Sequence, residues 1–159
     1  MKIRIICLGK IKEKYLKEGI DEYAKRLGRF CKFEVCELAD IKIPENPSEA
    51  ECNKVLVEEG EAVLKKISKD SFVIALCVEG KAMSSEELAA KISSVTLMGR
   101  NNIDFIIGGS LGLSESVKKR SDMRLSFSSF TFPHQLMRLI LTEQIYRAFK
   151  INANEEYHK

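Results

Sequence analysis

Residues 71–80, SFVIALCVEG, form an unbroken apolar run bounded by polar residues. Such a run is typical of a strand that is buried on both faces of a parallel sheet, because helices cover each face. Residues 102–109, NIDFIIGG, show the same pattern, and residues 2–9, KIRIICLG, give a β-branched strand that ends at a glycine. These three segments are predicted as strands of a mainly parallel sheet, and the runs at 71–80 and 102–109 are predicted to be buried.

Helical spacing of apolar residues fills much of the chain between these strands. Residues 12–30, 48–68 and 83–99 each place apolar side chains on one helical face. Ser48 precedes the second of these helices, and Glu51 follows three positions later, which is the capping-box pattern. Strand and helix alternate along the chain, so we predict a single α/β domain over all 159 residues, with a mainly parallel sheet flanked by helices.

The bulk composition excludes several classes of protein. Hydrophobic residues make up 45% and charged residues 31% of the chain, the balance of a globular protein, and the net charge of +3 is too small to indicate a nucleic-acid partner by itself. Five cysteines, an odd number, argue against a disulfide framework and indicate a reducing compartment, so we predict a cytoplasmic protein. No apolar run approaches the ~20 residues of a membrane helix.

The glycines at positions 108, 109 and 112 follow a predicted strand. They match neither the Walker A loop nor the G-x-G-x-x-G fingerprint, which disfavours a nucleotide-dependent enzyme of flavodoxin or Rossmann type. Two interpretations stay open: a tight strand-to-helix turn, for which glycine supplies backbone freedom, or a turn that also holds a ligand. In parallel sheets ligands bind beyond the carboxyl ends of the strands, so this turn is a candidate site.

The segment SFSSFTF at residues 126–132 is the second unusual feature. Residues 122–128 are predicted as the last strand, and Pro133 opens the final helix, where its missing N–H costs nothing. The alternation is compatible with an exposed edge strand. Its aromatic faces and free main-chain groups also suit a flat heterocycle such as adenine. His134, in the first turn of the helix, is expected to be structural or solvent-facing, and the chain shows no metal-ligand spacing.

Four motifs in order carry a resemblance to a known family. They are FIIGGSLGL at 105–113, SFSSFTFPHQLMR at 126–138, LTEQIYRAFKI at 141–151 and the terminal YHK at 157–159. Together with the opening KIRIICLGKIKEKY and the length, they resemble the ribosomal RNA large subunit methyltransferase H family of the SPOUT class. The resemblance spans essentially the whole chain.

The resemblance implies a trefoil knot in the C-terminal part and an S-adenosylmethionine cofactor, with no metal, no DNA and no membrane partner. It also implies methylation of N3 of a pseudouridine in 23S ribosomal RNA on the assembled ribosome. The implied cofactor-binding residues are Leu76, Gly108, Phe127, Ser128, Ser129, Phe130, Thr131 and Phe132. The alternative is a non-catalytic ribosome-binding or assembly protein that uses the same fold.

The final helix and the tail add two further expectations. The apolar arc over residues 136–149 is wider than the stripe one sheet covers, and Leu139 falls off its main face. A homodimer would bury the excess, although enclosure within one chain is an alternative. The resemblance implies that the tail reaches an active site, possibly the partner's, which makes Tyr157 and His158 candidate catalytic residues. Basic residues at 118–120 and 124 could contact phosphates or form a solvated face.

Overall fold

The computed structural model describes residues 1–157. Its strands are β1 (Lys2–Leu8), β2 (Lys32–Leu38), β3 (Phe72–Ala82), β4 (Asn102–Ile107) and β5 (Met123–Ser126). Its helices are α1 (Lys14–Leu27), α2 (Glu49–Lys66), α3 (Ser85–Leu97), α4 (Glu115–Arg120) and α5 (His134–Asn152). The alternation of strand and helix confirms the predicted α/β class.

The five strands form one sheet in the order β2-β1-β4-β3-β5, and every pairing is parallel. The three apolar runs singled out in the sequence therefore lie side by side in its centre. Because all strands run in one direction, their carboxyl ends share one edge of the sheet. That edge holds the segments that follow β3, β4 and β5.

Helices cover both faces of the sheet, as the unbroken apolar runs predict. Ile3, Ile5 and Cys7 of β1 point to the face covered by α1, α3 and α5, where they join the larger hydrophobic core. Ile6 and Leu8 point to the opposite face, which is covered by α2 and α4. This period of two fixes the register of β1, since a slip by one residue would exchange the two faces.

The start of α2 confirms the predicted cap. The Ser48 hydroxyl accepts a hydrogen bond from the Glu51 amide, and the Glu51 carboxylate accepts one from the Ser48 amide at 2.8 Å. Ser84 caps α3 with the same arrangement through Glu87. Each reciprocal pair satisfies two main-chain donors that a helix start leaves open.

The final helix is more enclosed within one chain than its sequence suggested. All apolar residues of the arc over 136–149 are buried or half-buried. Leu139 lies over Gly19 of α1, where a Cβ would come within 3.0 Å of a Leu139 methyl carbon. The arc therefore does not by itself require a second subunit, and the homodimer stays a prediction. None of the helices within residues 1–157 combines the length and apolar character needed to cross a membrane.

A buried arginine ties α5 to the carboxyl edge of the sheet. The Arg138 side chain is fully buried and donates hydrogen bonds to the carbonyl of Leu8 at 2.5 Å and the carbonyl of Gly9 at 2.9 Å. It also pairs with the Glu37 carboxylate at 3.0 Å. One side chain thus joins α5 to both β1 and β2. Its Nε is buried and has no hydrogen-bond partner within the described residues. The cost of burying this unpaired group offsets part of the stability that the other hydrogen bonds of Arg138 provide.

We expect Arg138→Met to lower the free energy of unfolding by about 2–4 kcal/mol, because two buried carbonyls and one carboxylate lose their partner. Urea denaturation followed by circular dichroism measures the change. Arg26→Met is the matched control, since Arg26 makes an exposed pair with Glu22 on α1 and should cost little. Equal stability of both variants would contradict the role assigned to Arg138.

Candidate functional site

Three segments at the carboxyl edge of the sheet surround a cleft of about 340 Å³. They are the end of β3, the glycine turn after β4 and the loop from Ser126 to Phe132 after β5. The structure thus brings together the glycine turn and the loop after β5, which the sequence marked as candidate sites, and Leu76, which the resemblance added. Most of the lining lies within a few residues of a strand end, so the sheet sets the shape of the cleft.

The first wall is a bulge in β3. Leu76 pairs with Leu125 of β5, and Lys81 pairs with the same residue, so the four residues at 77–80 leave the ladder. Three of them, at 77–79, line the cleft. Gly80 brings the bulge back against β5, since a Cβ there would lie 2.6 Å from the Leu125 carbonyl carbon. A side chain at this position would push the wall away from β5.

The second wall is the glycine turn. A Cβ on Gly108 would lie 2.4 Å from the Gly112 carbonyl oxygen and 2.5 Å from its carbon, so the two main-chain segments touch where Gly108 has no side chain. Gly112 has a φ of +84°, a conformation that favours glycine, and its amide donates to the Gly109 carbonyl at 3.1 Å. Both interpretations of this turn are therefore compatible: it is tight, and it exposes main chain to the cleft.

The third wall is the loop after β5, which corrects the predicted last strand. The strand was expected to run to Ser128 but ends at Ser126. The Ser126 hydroxyl donates to the Ser128 carbonyl at 3.3 Å, and the Ser128 hydroxyl accepts from the Phe130 amide at 3.1 Å. These hydrogen bonds between serine side chains and the main chain take the place of pairing with β3, and they turn the chain away from an extended conformation. The alternation seen in the sequence therefore belongs to a loop, and the edge-strand interpretation is wrong.

The three phenylalanines of this loop face different ways. Phe127 and Phe132 are half-buried and pack against the larger core, whereas Phe130 is 79% exposed. All three line the cleft, together with Ser128 and Thr131. Ser129 is exposed and does not line it.

An ion pair crosses the rim of the cleft. Lys118 of α4 contacts the Glu79 carboxylate at 2.6 Å and the Glu115 carboxylate at 3.2 Å. The hydrogen bond from Lys118 lowers the pKa of Glu79, and the bond to Glu79 raises the pKa of Lys118. Both groups therefore stay charged at neutral pH, and the rim offers a cation that is already shared between two carboxylates.

The cleft holds little that could act as a nucleophile or metal ligand. Cys77 lines it, but burial raises the pKa of its thiol, which keeps the sulfur protonated and unreactive. Within residues 1–157 no group of histidine, cysteine and carboxylate side chains is placed to hold a metal ion. The arrangement is suited to binding and orienting a ligand through main-chain groups.

Of the two predicted catalytic residues, only Tyr157 lies in the part of the chain that the structure describes. Tyr157 does not line the cleft of its own chain. Its hydroxyl lies 3.1 Å from the Glu143 carboxylate and 3.3 Å from the Tyr23 hydroxyl, and its ring meets Tyr146 edge-on at 4.9 Å. Burial and these hydrogen bonds raise the pKa of the Tyr157 phenol, so it remains a donor at neutral pH. His158 lies outside the described residues.

A charge cluster holds the chain just before Tyr157. The Glu155 carboxylate pairs with Arg29, in the turn after α1, and with Lys150 of α5. The hydrogen bond from Lys150 lowers the pKa of Glu155. Glu155 thus fastens the tail to α5 and to the turn after α1.

Sequence reasoning missed several parts of the site. The bulge at 77–80 was not predicted because it lies within a continuous apolar run, and Gly80 at the end of that run was the local signal available. Lys118 was considered only as a possible phosphate contact. His134 was expected to be structural or solvent-facing, yet it lines the cleft with Met137. Its place in the first turn of a helix that begins at the carboxyl edge was the signal available.

A family model described as a predicted SPOUT methyltransferase matches residues 1–158. The chain belongs to the SPOUT methyltransferase family. Whole-length relatives carry the name ribosomal RNA large subunit methyltransferase H. The protein of Bifidobacterium adolescentis is 57% identical over 159 residues, and that of Levilactobacillus brevis is 55% identical, with 100% of both chains covered in each case.

Two solved structures share the fold of this SPOUT methyltransferase. A probable methylase family protein from Haemophilus influenzae matches 99% of this chain and 70% of its own, with a TM-score of 0.53 and 16% identity. The tRNA (m1G37) methyltransferase from Aquifex aeolicus matches 92% and 70%, with a TM-score of 0.55 and 18% identity. At such identities the likeness concerns architecture alone.

The tail contacts generate a prediction. Glu155→Ala should make the amides of residues 153–157 exchange several-fold faster with solvent, whereas Glu156→Ala, the neighbouring control, should leave them unchanged. The pKa of Glu155 in the folded protein is lower than the ordinary carboxyl pKa of about 4.3. The protection that Glu155 gives to the tail amides is therefore fully present above about pH 4.3, and it is lost as the pH falls through the lowered pKa.

Hydrogen exchange with mass spectrometry, corrected for intrinsic rates, tests both parts. Wild-type protection of the tail should decline below about pH 4, and the variant should lack this step. Identical protection in Glu155→Ala and wild type would mean that the charge cluster does not hold the tail.

Proposed function

We propose that this SPOUT methyltransferase uses S-adenosylmethionine to methylate N3 of a pseudouridine in 23S ribosomal RNA, with the assembled ribosome as substrate. The whole-length relatives at 55–57% identity, which carry an rRNA methyltransferase name, support the rRNA assignment. The resemblance of the four sequence motifs supports the cofactor and the pseudouridine. The observation that carries the proposal is the cleft in which three main-chain segments meet.

The residues present fit this cofactor. The cleft volume of about 340 Å³ lies at the lower end of the range of small-molecule pockets. Its lining combines aromatic and aliphatic side chains with main-chain groups at the glycine turn. Gly108, Gly109 and Gly112 line the cleft without side chains, so a ligand can approach the main chain of the turn. We assign cofactor binding to Leu76, Gly108 and the loop at 127–132. Ser129 is included because it belongs to this loop, although it does not line the cleft.

The chain's own contribution to the reaction would be placement. When bound, the cofactor supplies a methyl group already activated by its sulfonium. Leu76 and the loop at 127–132 would hold the cofactor on either side, and the glycine turn would fix its depth in the cleft. When both reactants are held in place, the reaction step no longer includes the entropy cost of bringing them together from solution. This effect accounts for much of the rate gain in such reactions.

The tail is proposed to serve the acceptor side. The phenol of Tyr157 remains protonated and is suited to donating a hydrogen bond, so proton removal from N3 falls to His158 in this proposal. Tyr157 lies outside the cleft of its own chain, which favours delivery of the tail to a partner's cleft. We therefore retain the homodimer as part of the proposal. The C-terminal trefoil knot, which the resemblance implies, and the cytoplasmic location, which the cysteines indicate, are also parts of it.

Transfer of a tritium-labelled methyl group to ribosomes tests the proposal directly. The purified chain should label ribosomes from cells that lack the enzyme, and nucleoside analysis should place the label on N3 of a pseudouridine. Ribosomes from cells that contain the enzyme are the control, since their site is already methylated. Tight ribosome binding without label would support the non-catalytic alternative instead.

We expect Gly108→Ala to weaken cofactor binding about 100-fold, because the added methyl must displace the Gly112 main chain by about 1 Å. Calorimetric titration with S-adenosylhomocysteine measures the affinity. Gly99→Ala is the matched control: its φ of +80° makes the substitution strained, but it has open space around it and lies outside the cleft lining. Equal affinities for all three proteins would refute the proposed cofactor site.

A further inference from the structure

The rim of the cleft carries an apolar feature that the cofactor assignment leaves unused. Within residues 1–157, six large apolar side chains are strongly exposed, and only Val78 and Phe130 of these line the cleft. Val78 is 62% exposed on the bulge, and Phe130 is 79% exposed on the opposite loop. Isolated exposed apolar residues are common on protein surfaces. Val78 and Phe130 differ from the other four because both line one binding cleft, where a ligand would cover them.

The volume of the cleft indicates that only one of the two reactants, cofactor or RNA, is bound inside it. A cleft of about 340 Å³ suits one ligand of nucleoside size, so the acceptor must approach from outside, across the rim. A side chain that is mostly exposed contributes little to enclosing a buried ligand. It is well placed to contact whatever lies over the mouth.

The loop fixes the outward position of Phe130. The Ser128 hydroxyl accepts a hydrogen bond from the Phe130 amide, and Phe127 and Phe132 on either side are packed into the core. The backbone that carries the ring is therefore anchored on both sides. Little backbone freedom is lost when a partner covers the ring.

Exposed cations beside the cleft offer contacts to a polyanion. Lys81 and Arg124 are exposed on the paired strands β3 and β5, beside the bulge, although neither lines the cleft. Lys118 lines the cleft but is shared between the carboxylates of Glu79 and Glu115, so it adds little free positive charge. Cations beside an exposed aromatic ring are the pattern of single-stranded nucleic-acid binding, in which phosphates meet the cations and a base stacks on the ring.

We infer that Phe130 is a stacking platform for an unpaired base of the RNA substrate, and that Val78 bounds the same base from the facing wall. The inference rests on the proposed function, because it takes the acceptor to be RNA. It revises the role given to Phe130 by the resemblance: its main chain belongs to the cofactor site, and its ring belongs to the substrate.

The test compares Phe130→Ala with Phe130→Trp, which keeps an aromatic face. Loss of a stacked base should weaken binding to ribosomes from cells lacking the enzyme by about 10- to 100-fold in the alanine variant. The tryptophan variant should bind close to wild type. Affinity for S-adenosylhomocysteine is measured in both variants, and Phe130→Ala should lose much less of this affinity than of its affinity for ribosomes, because the ring is mostly exposed at the mouth of the cleft. Tyr15→Ala removes another exposed ring, 64% exposed on α1, and is the control.

Three outcomes would overturn the inference: unchanged ribosome binding in Phe130→Ala, an equal loss of cofactor affinity, or altered self-association in sedimentation, which would assign the ring to a second copy of the chain. Ribosome binding is measured without methyl transfer. A wild-type chain that binds ribosomes but transfers no methyl group therefore refutes the proposed reaction while still testing the stacking role.

Discussion

The hydrogen bonds of Arg138 set the geometry on which the rest of the site depends. A fully buried guanidinium joins the carbonyls of Leu8 and Gly9 to the second turn of α5 and reaches the carboxylate of Glu37. The loop at 127–132 is suspended between β5 and α5. Its path is therefore determined by where α5 begins, and Arg138 holds that start against the carboxyl edge of the sheet. A helix free to slide by one turn would carry the third wall of the cleft away from the other two.

The cleft itself is built mainly from the course of the main chain. Gly80 lets the bulge close against β5, and Gly108 lets the turn after β4 close against Gly112. These contacts are between main-chain atoms, so a single methyl group at either glycine would force the neighbouring main chain to move. The chemistry that this architecture supports is selective placement of a ligand, in keeping with the scarcity of reactive groups in the cleft.

Local sequence signals predicted most of the fold because the forces that form it are local or periodic. Apolar runs marked β1, β3 and β4, and the cap at Ser48 marked the start of α2. The edge to which the site belongs followed from the parallel sheet alone. Features that depend on distant contacts were not predictable in this way. The bulge exists because Gly80 meets β5, and Glu155 is held by Arg29, which lies 126 positions earlier.

The position of α5 in the core has a consequence for how the chain matures. It follows α1 and α3 in the chain, and it contacts both of them on the larger face of the sheet. Until α5 has been made and has docked, the surfaces of α1 and α3 that it covers stay exposed. This face therefore cannot complete its packing before α5 is available, and during synthesis the unfinished face is a target for chaperones.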